Sequence, residues 1–288
     1  MLVVLTSILT LGGIAVALSI ILVLINKKLF VPEDPRIDVV EELLPSTNCG
    51  ACGYPGCRAF SEALVKQEAL PGKCTVSTDE GRQEIATFLG VDVGAEEKVV
   101  ARLACAGGIN VSRKRAHYEG YSDCRSAALV GGGGKSCFWG CLGLADCEVV
   151  CDFDAIVMDQ YFMPVVIEDK CTACNACVEV CPKDLFSLHP VSHRLWVACK
   201  NLEAGDEILE DCEVACTACG RCAMDAPDDL VVIENNLPVV NYTKNHNTKQ
   251  PIQRCPTGAI VWMNEDGPEY GRETKKVLRK LPLPAAAT

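Results

Sequence analysis

The chain has 288 residues, enough for about two domains, and a formal net charge of −11, which argues against nucleic acid as a partner. Its twenty cysteines would mean a disulfide framework in a short secreted protein, but this chain is long. The cysteines also fall in tight C-x2-C and C-x3-C steps, several of them before proline, and thiolates so close repel unless a metal neutralises them, so the spacing points to iron–sulfur or zinc sites.

From Leu2 to Ile25 no residue is charged; as a helix these roughly 24 residues span about 36 Å, enough to cross a bilayer with some tilt. A secretory signal carries its charges before a shorter apolar run and ends at a small-residue cleavage site, whereas here Lys27 and Lys28 follow, so residues 1–28 read as a retained transmembrane anchor. A buried core helix is the alternative, weakened because Thr6, Ser7, Thr10 and Ser19 make no charged face. The positive-inside rule then places the rest on the cytoplasmic side of the cell's inner membrane, single-pass, in the reducing compartment that thiolates require.

Pro32 and Pro35 among charges in Val31 to Arg36 predict an extended linker, taken as 29–45, although Ile37, Val40, Leu43 and Leu44 stand at helical spacing before Pro45. Residues 46–95 form a small N-terminal cluster domain with a helix over Ala59 to Leu70 stopped by Pro71 and Gly72, and the cysteine-free charged stretch from Thr78 to Val100 marks its boundary. Residues 96–263 read as a multi-cluster domain of cysteine motifs, turns and short strands, and 264–288 as a mobile tail. The fold class expected is α+β: one N-terminal transmembrane helix, a small [4Fe–4S] domain, then duplicated bacterial-ferredoxin-like modules. The duplication rests on an internal repeat, because Cys124, Cys137, Cys141 and Cys147 have the spacing C-x12-C-x3-C-x5-C and Cys199, Cys212, Cys216 and Cys222 repeat it residue for residue. Each copy runs on to a Cys-Pro pair, Cys181-Pro182 and Cys255-Pro256.

Four cages are expected from these spacings. Cys49, Cys52, Cys57 and Cys74, with glycines between the first three, suit one [4Fe–4S] cluster, and zinc is the plainer alternative. Cys171, Cys174, Cys177 and Cys181-Pro182 form the C-x2-C-x2-C-x3-C-P run, whose fourth cysteine serves the other cluster in two-cluster ferredoxins. Cys171, Cys174 and Cys177 therefore take Cys151 as their fourth ligand. Cys181 joins Cys141 and Cys147, and because Leu144 occupies the middle position of that motif, Cys137 is the expected substitute. In the second copy Cys216, Cys219, Cys222 and Cys255 are complete, whereas Ala226, Asn245, Thr248 and Pro251 stand where a partner site would have its ligands. Cys105, Cys124, Cys199 and Cys212 stay open: a further cluster, making five, replacements for ligands above, or buried small hydrophobes.

The anchor, the group Asn48-Cys-Gly-Ala-Cys-Gly-Tyr-Pro-Gly-Cys57, the run Cys137-Phe-Trp-Gly-Cys-Leu-Gly-Leu144 and the ferredoxin repeats closely resemble, over nearly the whole chain, the B subunit of the Rnf ion-translocating ferredoxin:NAD+ oxidoreductase complex. The resemblance implies an electron-relay subunit of a membrane oxidoreductase (a translocase) that couples electron transfer to Na+ or H+ movement, accepts electrons from soluble ferredoxin and passes them to other membrane and peripheral subunits. Flavin and NAD chemistry then belongs to those subunits. The alternatives are a cluster subunit of another membrane oxidoreductase and a zinc-stabilised, membrane-tethered interaction module. No catalytic acid, base or nucleophile is expected, and the chain has no G-x-G-x-x-G dinucleotide fingerprint. Gly131 to Ser136 is not a phosphate loop, because Leu129 stands where its first glycine is required, and a glycine-rich turn is expected instead. His117, His189, His193 and His246 are expected at the surface, and Arg113, Lys114 and Arg115 as a solvated face or a contact for acidic ferredoxin.

Overall fold

A computed structural model describes residues 2–29, 34–265, 267–277 and 279–283. Residues 30–33 of the expected linker and 284–288 of the expected tail lie outside the described residues. Helix α1 (Leu2–Leu29) is long and apolar enough to cross a membrane, and none of its Leu11–Lys28 window is buried against the rest of the chain.

Helix α2 (Arg36–Leu43) ends where Leu44 turns extended ahead of Pro45, as the residue before proline must. Helix α3 (Cys57–Val65) stops earlier than the expected Leu70, because Gln67 takes a positive φ. Thr78 caps α4 (Asp79–Leu89) by accepting from the Gly81 N–H, and Gly90 closes it in the left-handed conformation. Ile37, Val40 and Leu44 pack with Phe60, Leu64, Ile85 and Cys74 in one core. The segment assigned to the linker as far as residue 45 thus contributes a helix to the N-terminal unit, and its apolar face draws it there.

The remainder is short elements. They are β1 (Val99–Leu103), α5 (Cys124–Leu129), α6 (Asp146–Val149), β2 (Ile156–Met158), β3 (Pro164–Val166), α7 (Ala176–Val180), β4 (Phe186–Pro190), β5 (Leu195–Val197), α8 (Ile208–Asp211), α9 (Arg221–Asp225), β6 (Val231–Glu234), β7 (Leu237–Val240), β8 (Ile260–Asn264) and β9 (Gly267–Glu269). All pairing is antiparallel: β1 with β4 from Val99↔Pro190 to Leu103↔Phe186, β2 with β3, β5 with β8 and β8 with β9, and β6 with β7. Three small cores lie among these elements, and every one contains cysteines: Cys147 and Cys177 with Ile156 and Phe186; Cys137 and Cys212 with Ile208; Cys216, Cys222 and Cys255 with Leu195, Leu230 and Ile260. Cores this small need a crosslink, which metal ligation by their cysteines would supply.

The segment expected to be a mobile tail is held down. Thr274 Oγ1 donates to Cys255 O, Lys275 N to Pro256 O and Leu283 N to Ile109 O, while Arg279 pairs with Glu213 at 3.1 Å. These bonds cross between segments far apart in sequence, so no local signal announces them.

Candidate iron–sulfur sites

None of the twenty cysteines is in a disulfide. A left-handed residue opens three short helices that carry a ligand candidate: Ala145 before Cys147, Asn175 before Cys177 and Gly220 before Cys222. The tetrapeptides Cys171-Thr-Ala-Cys174 and Cys216-Thr-Ala-Cys219 share the same kink, with Ala173 at φ 57° and Ala218 at φ 55°. Such conformations disfavour L residues and persist because the surrounding turns impose them.

In the N-terminal unit the Cys52 thiol is pushed up by burial and by Cys49 and Cys57, and that of Cys74 by burial and by Cys52 and Cys49, so the four lie together. Asn48 Oδ1 accepts from Cys57 N at 2.8 Å and fixes the loop. Cys151, Cys171, Cys174 and Cys177 line one cavity, and Cys216, Cys219, Cys222 and Cys255 line another. Burial, followed by Cys171 and Cys174, raises the Cys177 thiol to about 12, and burial, followed by Cys255 and Cys219, raises Cys222 to about 11. N–H groups point at several sulfurs: Ala101 to Cys171 at 3.4 Å, Ala155 to Cys151 at 3.3 Å and Leu185 to Cys181 at 3.5 Å.

The remaining eight cysteines divide differently from the expected grouping. Cys147, raised to about 12 by burial, is flanked by Cys124 and Cys181, and the expected neighbour Cys137 is not among the thiols that act on it. Cys137 instead lines a third cavity with Cys105, Cys199 and Cys212. Cys141 is absent from that lining and stands between the two groups: burial raises its thiol to about 12, followed by Cys105 and, less, by Cys147. The reason is local. Leu144 leaves the middle position of its motif empty, and Asp146, at the start of α6, accepts the Cys124 N–H at 3.0 Å and ties the start of α5 beside it. In the second copy of the cysteine repeat Cys219 fills the equivalent position, and Cys199 lines the third cavity. Each of the four cysteines left open by spacing thus has other cysteines beside it, an arrangement that admits five sets of four. Divisibility by four was the one available sequence signal.

Residues 44–76 match a family of Fe-S cluster domains, and residues 139–188 match the 4Fe-4S dicluster domain family. The B subunit of the Na(+)-translocating ferredoxin:NAD(+) oxidoreductase complex of Acetobacterium woodii is 35% identical over 93% of this chain and 79% of its own length. Its proton-translocating counterpart in Clostridium ljungdahlii is 34% identical over 86% and 88%, and the B subunit of the ion-translocating oxidoreductase complex of Methanosarcina acetivorans 32% identical over 90% and 98%. The chain belongs to this family of B subunits. It carries multiple [4Fe–4S] clusters.

The cysteine sets fit such clusters better than zinc. A zinc ion about 2.3 Å from each sulfur draws four sulfurs to about 3.8 Å from one another, yet among the described residues no three His, Cys, Asp or Glu converge on a single ion. Two hydroxyls point the same way. Thr172 Oγ1, between Cys171 and Cys174, and Ser112 Oγ, bridged through its backbone to Cys212, are buried without a hydrogen-bond partner among the described residues. Such donors match the sulfur-rich acceptor surface of a cluster. The raised thiol pKa values mean that iron must displace protons on binding, so assembly couples to folding.

Three histidines expected at the surface gather instead around Tyr242. His193 stacks on its ring at 3.7 Å, His189 and His193 share a 3.2 Å contact between Nδ1 atoms, and His246 lies edge-on. Of the basic run, Arg115 pairs with Asp211 at 3.5 Å and Arg113 is half-buried, leaving Lys114 as its freely exposed charge.

Proposed function

We propose that this chain is the iron–sulfur relay of a membrane-bound, ion-translocating ferredoxin:NAD+ oxidoreductase, holding five [4Fe–4S] clusters in a row. Bound in the cysteine sets, such clusters supply one-electron transfer. The observation that carries the reading is that neighbouring sets adjoin, through a single hydrogen bond at three junctions and through shared backbone at the fourth. Thr75, next to Cys74, donates to the carbonyl of Thr172, next to Cys171, at 2.6 Å. Cys151 and Cys147 share one short stretch, and α6 packs on α7. The N–H of Cys141 donates to Cys105 Sγ at 3.4 Å, and that of Cys216 to Cys199 Sγ at 3.3 Å. The row is therefore Cys49/Cys52/Cys57/Cys74, Cys151/Cys171/Cys174/Cys177, Cys124/Cys141/Cys147/Cys181, Cys105/Cys137/Cys199/Cys212 and Cys216/Cys219/Cys222/Cys255. The tandem Cys-Thr-Ala-Cys turns and the cysteine repeat support a duplicated ferredoxin-like ancestry for the last four.

The first set lies nearest in sequence to α1 and faces the membrane subunits. At the far end Cys219 is the exposed cysteine, beside exposed Arg221, and there the protein meets reduced ferredoxin, an acidic one-electron donor. Lys27 and Lys28 hold the soluble part on the cytoplasmic side. Oxidised, anaerobically purified chain mixed with reduced ferredoxin should lose its broad visible absorbance within the mixing experiment, more slowly in Arg221→Glu and at high salt. A chain that a low-potential ferredoxin cannot bleach refutes the donor assignment.

A further inference from the structure

The glycine run that resembles a phosphate loop without being one delivers a lysine into the interior. Gly131, Gly132, Gly133 and Gly134 all have positive φ, and a Cβ on Gly134 would lie 2.2 Å from Ala116 O, so the turn closes tightly against the segment of residues 113–116. The chain then re-enters with Lys135 part-buried and Ser136 and Cys137 buried. The lysine stem crosses Gly140, where a Cβ would come within 2.8 Å of Cε. Its Nζ donates to Gly107 O at 2.5 Å and Cys141 O at 2.6 Å, and among the described residues it forms no ion pair. The same two residues, Gly107 and Cys141, donate their N–H groups to Cys105 Sγ, each at 3.4 Å.

We propose that Lys135 is a built-in counter-charge that raises the reduction potential of the Cys105/Cys137/Cys199/Cys212 site above its value with a neutral side chain. The proposal rests on the reading that these four cysteines hold a cluster. One-electron reduction adds a negative charge, and an ammonium held by neutral carbonyls, with no carboxylate paired to it among the described residues, stabilises that charge strongly in a low-dielectric interior. The glycines at 134 and 140 are explained as well: one lets the turn close, the other leaves room for the stem. Lys135 is a positioning residue, acting on the site through space.

The test is an EPR-monitored redox titration, with iron and sulfide counting, of the full-length chain and of Lys135→Gln, Lys135→Met and Lys135→Arg. The signal is assigned as the one that Cys212→Ala removes. With cluster content unchanged, the neutral variants should weaken electron uptake at that signal tenfold or more, about 59 mV lower for one electron, while Lys135→Arg stays near the parent. Fully loaded neutral variants with the parental potential overturn the proposal. So does loss of the cluster in both neutral variants with retention in Lys135→Arg, which would make the lysine purely structural. If Cys212→Ala removes no cluster from the parent, the four-cysteine reading fails first and the proposal with it.

Discussion

Pairs of cysteine substitutions distinguish the site assignment made from the tertiary structure from the one that spacing alone supplies. Five sets of four cysteines, each holding four irons and four sulfides, give about twenty irons per chain. Replacing one ligand by alanine, which offers no donor atom, should remove one cluster and leave about sixteen irons. A second substitution in the same set costs nothing further, whereas one in a different set leaves about twelve. Cys124 stands with Cys147 and Cys181, and Cys137 with Cys105 and Cys212. Cys124→Ala/Cys181→Ala should therefore retain about sixteen irons and Cys137→Ala/Cys181→Ala only about twelve. Iron and acid-labile sulfide are counted on anaerobically purified protein, and EPR shows which signal is lost. Were Cys137→Ala/Cys181→Ala to keep sixteen while Cys124→Ala/Cys181→Ala dropped to twelve, the grouping drawn from the structure would be wrong.

The histidine cluster predicts acid sensitivity. Burial first, then the neighbouring His193, holds His189 below the usual imidazole range, and burial followed by His246 does the same to His193, with Arg102 adding to both and Glu97 opposing at His193. The unfolded chain protonates these rings near pH 6.5, while the folded chain keeps them neutral. Their contribution to stability is thus complete above about pH 6.5 and falls away below it; His193→Phe, which keeps the ring on Tyr242, should flatten the decline in melting temperature between pH 7.5 and 5.5 at about equal cluster content. Arg102, 4% exposed, pairs with Glu168 beneath the sheet of β1 and β4. Glu168→Gln leaves that guanidinium buried and uncompensated, at a cost of about 3 kcal/mol, the lower end of the range because Glu168 is partly solvated; a denaturant midpoint equal to the parent's would contradict it.

Much of the protein was legible in one dimension because cluster ligands come in local runs. A C-x2-C-x2-C step places three sulfurs around one point whatever the rest of the chain does, and an uncharged apolar stretch of helical length needs no partner to declare itself. The same local logic foresaw the helix at Ile37 to Leu44, although it misassigned that helix to a linker, since its burial depends on Phe60 and Ile85 beyond the first cysteine group. Lone cysteines were another matter. Cys105, Cys124, Cys199 and Cys212 lie outside the C-x2-C runs, and contacts with other segments fix their surroundings, Cys124 by way of the Asp146 carboxylate and Cys105 by way of the Cys141 N–H. The inward course of Lys135 and the gathering of three histidines around Tyr242 were likewise settled only when distant segments met. Spacing along a chain determines which groups can share a site within a few residues; which of two neighbouring sites an isolated thiol joins is decided by packing, because both choices are equally close in sequence and differ only in three dimensions.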